Sequence, residues 1–392
     1  MIDDERRNEV EDELRRQAKK SFDTGMTAFR RGDYSEALSA LDDALELCQD
    51  ISGSECGQAD CLHSSGIVLG EMGDLREALG CYEQALVLYR EVPGNECGQA
   101  NCLYNSGVAL GGLGDSRGAS ECYERALILF QGVPDSECAQ AECLFNRGAM
   151  LNELGDWWGA LGCFERSLTL FQGVPGSECE QADCLYGSGV SLSELGDCWG
   201  ALGYFDRALV LLDNGIVEAD WAEAERTGAR CLQGIGDCLV ELNEAVFPDH
   251  FARALEVFQR PEHVDHTKAD QASCLRSIGN GRSATGDLNG AVEAYQQAQD
   301  LYRQVGQPER ATRINVPLAR VLKRKAATLD SIFERLALLE GSLNLTIEAA
   351  LSLDRARFRL DRLDDRQRWF QAHARSTMNL ALDVAAELGR PH

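Results

Sequence analysis

Sixteen cysteines and six histidines are the residues of this sequence best suited to chemistry, because thiolates and imidazoles bind metals and act as nucleophiles or bases. The cysteines form no Cys-x-x-Cys pair and recur instead at repeat positions. Three sets stand out: Cys61, Cys102, Cys143, Cys184, Cys231 and Cys274; Cys56, Cys97, Cys138 and Cys179; and Cys81, Cys122 and Cys163. Recurrence favours small apolar packing side chains, so we expect buried free thiols in a reducing compartment.

Two other combinations could support chemistry. His263-x-x-His266 with Asp265 resembles a metal-binding pair, but a third ligand in register is missing. Cys274 and His373 could form a thiol-imidazole dyad, although Cys274 occupies a repeat position. The sequence contains no Gly-rich phosphate loop. We therefore expect no metal, no cofactor and no catalytic site, and a protein that is not an enzyme.

The elements that carry these residues belong to a repeat of 41 residues, typified by the stretch from Cys97 to Pro134. A Gly-Asp pair recurs every 41 residues, at Gly32-Asp33, Gly73-Asp74, Gly114-Asp115, Gly155-Asp156 and Gly196-Asp197. Self-similarity at a fixed period is the signature of a solenoid, whose units stack to bury a core that none of them could bury alone.

Each repeat predicts two helices. In the repeat after Cys97, Cys102, Leu103, Gly107 and Leu110 share one stripe of the first helix. Gly114 suits the left-handed position that ends a helix, and Asp115 is placed to cap the next one. The apolar face of the second helix consists of Ala119, Cys122, Tyr123, Ala126, Leu127 and Phe130. We further expect Ser136 to cap the following repeat, and Gly107 and Gly148 to lie where two helices cross closely.

The pattern resembles the tetratricopeptide (TPR) repeat family. The matching residues are Leu103, Gly107, Leu110, Gly114-Asp115, Ala119, Tyr123 and Ala126-Leu127. The usual TPR period is 34, so each unit is about two helical turns longer, as in the long-repeat subgroup that includes kinesin light chains and mitotic-spindle scaffolds. The resemblance covers about residues 21–302 and implies an all-α fold, a right-handed α-solenoid of helix pairs with a C-terminal helical extension.

By similarity to TPR arrays, a second face of each first helix lines a concave groove. One position on this face is an aromatic ladder at 41-residue intervals: Phe22, His63, Tyr104, Phe145 and Tyr186. Asn105 and Asn146 neighbour it, and carboxylates flank it at Asp60, Glu71, Glu142, Glu153, Asp183 and Glu194. This combination suits an extended peptide or helix that carries Arg or Lys. The alternative is that the aromatic side chains wedge between adjacent repeats as packing.

Charge narrows the class of partner. The net charge is −26, and residues 1–310 carry −30 whereas residues 311–392 carry +4. Such acidity repels phosphates, so nucleic-acid binding is not expected, whereas a basic partner would be attracted. Lys19 is nearly the only basic residue on the ladder side, which disfavours an acidic peptide tail. The sequence has no apolar run of about 18 residues and a charged start, so we expect no membrane span, no signal peptide and a cytoplasmic location.

The predicted organisation has five parts. Residues 1–20 form a charged helix, 21–213 form five regular repeats, 214–266 form a divergent repeat or bend, 267–306 form one more repeat, and 307–392 form a C-terminal helical region. In the divergent repeat the turn is expected at Asn243-Glu244, and Pro248 requires the second helix to start late or kink. Beyond the last repeat, residues 311–341 and about 345–388 are predicted to be longer helices, the second rich in arginine.

The C-terminal segment has a second resemblance, to the helical junction that joins TPR arrays to CHAT domains, the caspase-like protease domains of bacteria. The matching residues are Arg368, Trp369, Leu380, Ala381, Leu388, Gly389, Arg390 and Pro391. Two functions remain open. The first is a non-catalytic scaffold that binds a protein or peptide partner in the acidic, aromatic-lined groove. The alternative is the sensor arm of a CHAT protease system, with a caspase-like partner on another chain.

Overall fold

The computed structural model describes residues 2–215, 221–244, 247–260, 267–357 and 374–389, and these residues form helices and no strand. The chain divides into two compact units, Met1–Pro175 and Gly176–His392. The helices of unit 1 are α1 (Ile2–Arg30), α2 (Tyr34–Gln49), α3 (Glu55–Met72), α4 (Leu75–Glu91), α5 (Glu96–Gly112), α6 (Ser116–Phe130), α7 (Glu137–Leu154) and α8 (Trp157–Phe171).

Unit 2 continues the series of helix pairs. Its helices are α9 (Glu178–Glu194), α10 (Cys198–Gly215), α11 (Trp221–Glu241), α12 (Phe247–Phe258), α13 (Lys268–Thr285), α14 (Leu288–Gln304), α15 (Pro308–Arg313), α16 (Asn315–Ala326), α17 (Ile332–Arg357) and α18 (Arg375–Glu387). In each unit the two helices of a repeat pack against one another and against the following pair, which is the arrangement of an α-solenoid.

The Gly-Asp turns form as predicted. The repeat glycines adopt the left-handed conformation, with φ of 81° at Gly114 and 77° at Gly155. The aspartate that follows caps the next helix: Gly118 N donates to Asp115 Oδ1 at 2.9 Å, and Gly159 N donates to Asp156 Oδ1 at 3.1 Å. One dipeptide thus ends the first helix and starts the second, which sets the angle of the helix pair.

Close approach of the two helices in a pair depends on a second glycine. A Cβ added at Gly107 would lie 2.7 Å from the ring of Tyr123, and one added at Gly148 would lie 2.9 Å from the ring of Phe164. Both rings are buried. The predicted crossing is confirmed, and its cause is an aromatic ring of the second helix lying flat on a first-helix glycine.

Ser136 does not cap α7 with its side chain, contrary to the prediction. Its hydroxyl donates instead to the carbonyls of Phe130 and Val133, at 2.6 and 2.7 Å. Gln140 Nε2 reaches the same Phe130 carbonyl at 3.4 Å. The serine therefore adds a further donor to the Phe130 carbonyl, which also accepts from Val133 N at 2.9 Å, and so stabilises the end of the preceding helix.

The divergent repeat adopts the predicted geometry. Asn243 has a φ of 59°, the left-handed turn conformation, and Gly236 lies inside α11. Helix α12 begins only at Phe247, so Pro248 falls in its first turn, where a missing N–H costs nothing.

The C-terminal region differs from the prediction of a helix over 311–341. Helix α16 ends at Ala326, and α17 begins at Ile332 after Ser331, whose hydroxyl accepts a hydrogen bond from Glu334 N at 3.4 Å. The segment Ile332–Leu353 of α17 is also long and apolar enough, by length and composition alone, to cross a membrane, with 28% of it buried. The prediction of no such run was therefore too strict, although α17 packs against α16 and α18.

Candidate functional site

The aromatic ladder of unit 1 is half-buried. Its rings pack within their own repeat: the centroids of Tyr104 and Tyr123 lie 5.7 Å apart, and those of Phe145 and Phe164 lie 5.6 Å apart, both nearly edge to face. These are favourable aromatic geometries. The partner rings are the same ones that lie on Gly107 and Gly148, so each ladder residue supports the crossing of its helix pair.

Amides join two ladder residues, His63 and Tyr104, to the next repeat. Asn105 Nδ2 lies 2.9 Å from His63 Nε2, and Asn146 Nδ2 donates to the Tyr104 hydroxyl at 3.0 Å. Burial lowers the pKa of His63, which favours the neutral imidazole. Burial and the nearby charge of Glu142 raise the pKa of Tyr104 to about 12, so its hydroxyl stays protonated. The amide positions thus hold adjacent first helices in register.

Exposed carboxylates flank this face, as Asp60, Glu71, Glu142 and Glu153 are all exposed. Two of them also accept hydrogen bonds, Asp60 from the Tyr89 hydroxyl and Glu153 from Ser116. At the first repeat, Phe22 and Asp60 line a cavity of about 270 Å³ together with Arg15 and Lys19. The face of unit 1 is therefore acidic and aromatic, and α1 supplies basic side chains at its first repeat.

In unit 2 the predicted residues lie differently. Tyr186 packs against Phe205 with ring centroids 5.9 Å apart. Asp183 is half-buried and accepts a hydrogen bond from Thr227 Oγ1 at 2.7 Å. Burial raises the pKa of Asp183 to about 6. Only Glu194 is an exposed carboxylate of the kind expected, and Asp183 belongs to the contact between α9 and α11.

The sequence analysis missed the next two ladder positions. Tyr186 follows its repeat cysteine by two residues, and the same offset from Cys231 and Cys274 gives Gln233 and Arg276. The cysteine register was therefore the signal that could have found them. The aromatic pattern of the ladder ends at Tyr186 and polar side chains replace it.

These polar positions belong to a network between α11 and α13. Arg230 donates to both carboxylate oxygens of Asp270 at 3.2 Å. Gln233 Nε2 donates to Ser277 Oγ at 3.2 Å, and that hydroxyl donates to Asp237 Oδ2 at 2.9 Å. Unit 2 thus joins its first helices through ionic and hydroxyl groups where unit 1 uses aromatic rings and amides.

The sets of cysteines differ in how deeply they are buried. The six at the first-helix core position are buried, at 0–2% exposure, which confirms their packing role. Burial raises the pKa of Cys102, Cys143 and Cys274 to about 12, and the Cys274 thiol points at the Phe251 carbonyl. Such thiols are poor nucleophiles. The prediction of burial was wrong for the second set, because Cys97 and Cys138 are exposed.

Other predicted sites lie largely outside the described residues. These are His263, Asp265 and His266, the dyad partner His373, the arginine-rich segment 358–368, and Arg368, Trp369, Arg390 and Pro391 of the junction resemblance. Within the part of the chain that the structure describes, no group of three or more His, Cys, Asp or Glu side chains is arranged to hold a metal ion.

The fold is an α-solenoid built of helix pairs, and similarity to known proteins shows which kind of repeat forms it. The Tetratricopeptide repeat family matches residues 23–91, 62–132 and 137–213, so these segments are tetratricopeptide repeats. No curated protein matches the chain.

Solved structures share the fold. Apo RapI is 17% identical with a TM-score of 0.59, covering 74% of this chain and 99% of its own. A Rap protein complexed with Competence and Sporulation Factor is 14% identical with a TM-score of 0.54, covering 95% and 99%. A tetratricopeptide repeat protein from Parabacteroides merdae is 16% identical with a TM-score of 0.51, covering 78% and 99%.

Proposed function

We propose that this protein is a non-catalytic scaffold that binds a protein or peptide partner along the ladder face of its first helices. The observation that carries the proposal is the coincidence of half-buried aromatic side chains on α3, α5 and α7 with exposed carboxylates on α3 and α7. Aromatic side chains are the commonest anchors of protein interfaces, and rim charges steer the partner and set its sign.

The acidic character of unit 1 favours a basic segment of the partner there. Glu71 and Glu142 are exposed, and Glu142 lies close enough to the Tyr104 hydroxyl to raise its pKa. Tetratricopeptide repeats support an interaction role for the chain, and a Rap protein of similar fold has been solved in complex with Competence and Sporulation Factor.

The test compares two charge reversals of equal size. The variant Glu71→Lys with Glu142→Lys alters the ladder side of α3 and α7. Its control, Glu83→Lys with Glu121→Lys, alters exposed acids of the second helices α4 and α6. Partners captured from the native host would be quantified by mass spectrometry. We expect the first variant to lose capture, most strongly at low salt, and the control to retain it.

Truncation of two ladder side chains is a second test, although it also removes packing contacts inside the repeats. Tyr104→Ala with Tyr186→Ala removes two anchors and should weaken capture, but it also removes the contacts with Tyr123 and Phe205. The melting temperature must therefore be measured alongside. Equal capture by the Glu71/Glu142 variant and by its control would contradict the proposal, whatever the truncation does.

A further inference from the structure

Unit 2 contains a cavity that the sequence analysis did not anticipate. Its volume is about 880 Å³, near the upper end of the range for ligand sites in proteins. Side chains of α11, α13 and α16 line it, together with the turn from α9 to α10. The cavity therefore lies on the first-helix side of unit 2, where the ladder position is occupied by Arg276.

Charge is distributed unevenly in this cavity. The carboxylates come from α9 and α11, namely Glu194, Asp237 and Glu241, and the guanidinium groups come from α13 and α16, namely Arg276, Arg320 and Arg324. The acidic groups are thus carried by α9 and α11, and the guanidinium groups, here called the basic end, by α13 and α16. Asp237 reaches across to α13, where it accepts a hydrogen bond from Ser277. The three positive and three negative charges balance, so a polyanion such as nucleic acid would meet as much repulsion as attraction.

The basic end is held in place. Arg324 Nη1 donates to both the carbonyl and the hydroxyl of Ser283, at 2.8 and 3.0 Å. Arg320 Nη2 donates to Ser376 on α18. Among the described contacts each arginine thus uses one nitrogen, and the planar group keeps further N–H donors for a second partner. A guanidinium fixed in this way binds a carboxylate at a lower entropic cost than a mobile one.

We propose that this cavity binds a peptide segment that carries both charges, with a carboxylate on Arg276, Arg320 and Arg324 and a cationic group on Glu194 and Glu241. This inference rests on the proposed function and names the chemistry of a partner at unit 2. It differs from the basic partner that the acidic sequence favours, because Arg276 joins Arg320 and Arg324 at one cavity only in the folded chain. The carboxylate is either an acidic side chain or the end of a chain.

The test uses a synthetic mixture of random octapeptides with free termini as the probe, selected on the full-length protein and read by mass spectrometry. The variant Arg320→Glu with Arg324→Glu reverses the basic end at two exposed positions. The variant Arg310→Glu with Arg313→Glu makes the same charge change at two exposed positions of α15 that do not line the cavity. Thermal melts establish that all three proteins are folded.

We expect the wild type and the α15 variant to retain peptides that carry both a carboxylate and a Lys or Arg. The Arg320/Arg324 variant should lose at least about tenfold in affinity for them, which is the cost of one charge-assisted contact of about 1.4 kcal/mol. Resynthesis of a selected peptide with an amidated end, or with Gln for Glu, distinguishes the two sources of the carboxylate. A second variant, Glu194→Gln with Glu241→Gln, should reduce the preference for Lys and Arg.

The proposal is overturned if no peptide is retained, if the retained peptides lack carboxylates beyond the common C-terminus and amidation has no effect, or if the Arg320/Arg324 variant binds them unchanged. Failure of the proposed function gives a different result: carboxylate-bearing peptides would still depend on Arg320 and Arg324, while capture of host proteins would be insensitive to charge reversal on the ladder face.

Discussion

The two units use the same helix pair but join successive pairs with different chemistry. In unit 1, rings and amides connect the first helices, as in the bond from Asn146 to Tyr104. In unit 2, the equivalent positions hold Gln233 and the buried hydroxyl of Ser277, joined at 3.2 Å, beside an ion pair of Arg230 with Asp270. The helix-pair backbone is thus compatible with either set of inner side chains. The two units can therefore differ in the charge of this face and in the partner that it binds.

The largest effect should come from the glycines shared by both units. Gly148→Val and Gly189→Val each push a side chain into a buried ring, and we expect losses of about 1–3 kcal/mol in unfolding free energy. The cost should be greater at Gly189, because Phe205 also lies against Gly234 and cannot retreat. Denaturant unfolding measures both.

Matched controls exist in the second helices. Gly162 and Gly203 have open space where a Cβ would be placed, so Gly162→Ala and Gly203→Ala should stabilise the protein by up to about 1 kcal/mol. Equal stability of the Gly148→Val and Gly162→Ala proteins would show that the helices do not cross as described.

Next in size is a pH effect specific to unit 2. Burial raises the pKa of Asp183 to about 6 from its ordinary value of 3.8, so folding disfavours its charged form. This destabilisation is absent below about pH 4 and fully present above about pH 6. Asp183→Asn should therefore be more stable than the wild type at pH 8, by about 1–3 kcal/mol, with the difference shrinking toward pH 4.5.

The control for that measurement is Glu194→Gln, which alters an exposed carboxylate on the same helix. It should leave the pH dependence of urea unfolding as it is in the wild type. A constant difference between Asp183→Asn and the wild type from pH 4.5 to 8 would mean that the carboxylate is well solvated in the folded protein.

A direct comparison of the two kinds of link comes from removing one hydroxyl in each unit. Tyr104→Phe deletes the acceptor of one amide and should cost about 0.5–1.5 kcal/mol. Ser277→Ala removes a fully buried hydroxyl that serves Gln233 and Asp237. Because the buried Asp237 carboxylate then loses one of its donors, we expect a cost of about 1–3 kcal/mol. The reverse order would show that the ring-and-amide link is the stronger one.

The smallest effect on stability, and the clearest on reactivity, concerns the cysteines. Iodoacetamide should modify the exposed Cys97 and Cys138 of the native protein, while Cys102 and Cys143 stay protected by burial and by pKa values of about 12. Peptide mapping by mass spectrometry checks this order. After unfolding without reductant, all sixteen thiols should titrate, and a count several short would indicate disulfides.

The local features of the fold could be predicted from the sequence, because each depends on neighbouring residues. The 41-residue period, the left-handed turn at Gly114 with its Asp115 cap, and the ring over Gly148 all follow from backbone conformation or from contacts inside one helix pair. A pattern that recurs in four or five repeats also arises by chance less often than a single occurrence, so it predicts the structure more securely.

Contacts between distant residues were decided by tertiary structure alone. Burial of Asp183 depends on α11, which has no exact 41-residue copy. Ser136 bonds to the preceding helix because the carbonyls of Phe130 and Val133 lie within its reach. The basic end of the unit 2 cavity joins Arg276 to Arg320 and Arg324 across an interval that is not a repeat period. No pattern in the sequence predicts that these arginines line one cavity, because their proximity depends on the packing of the C-terminal helices against the last repeat.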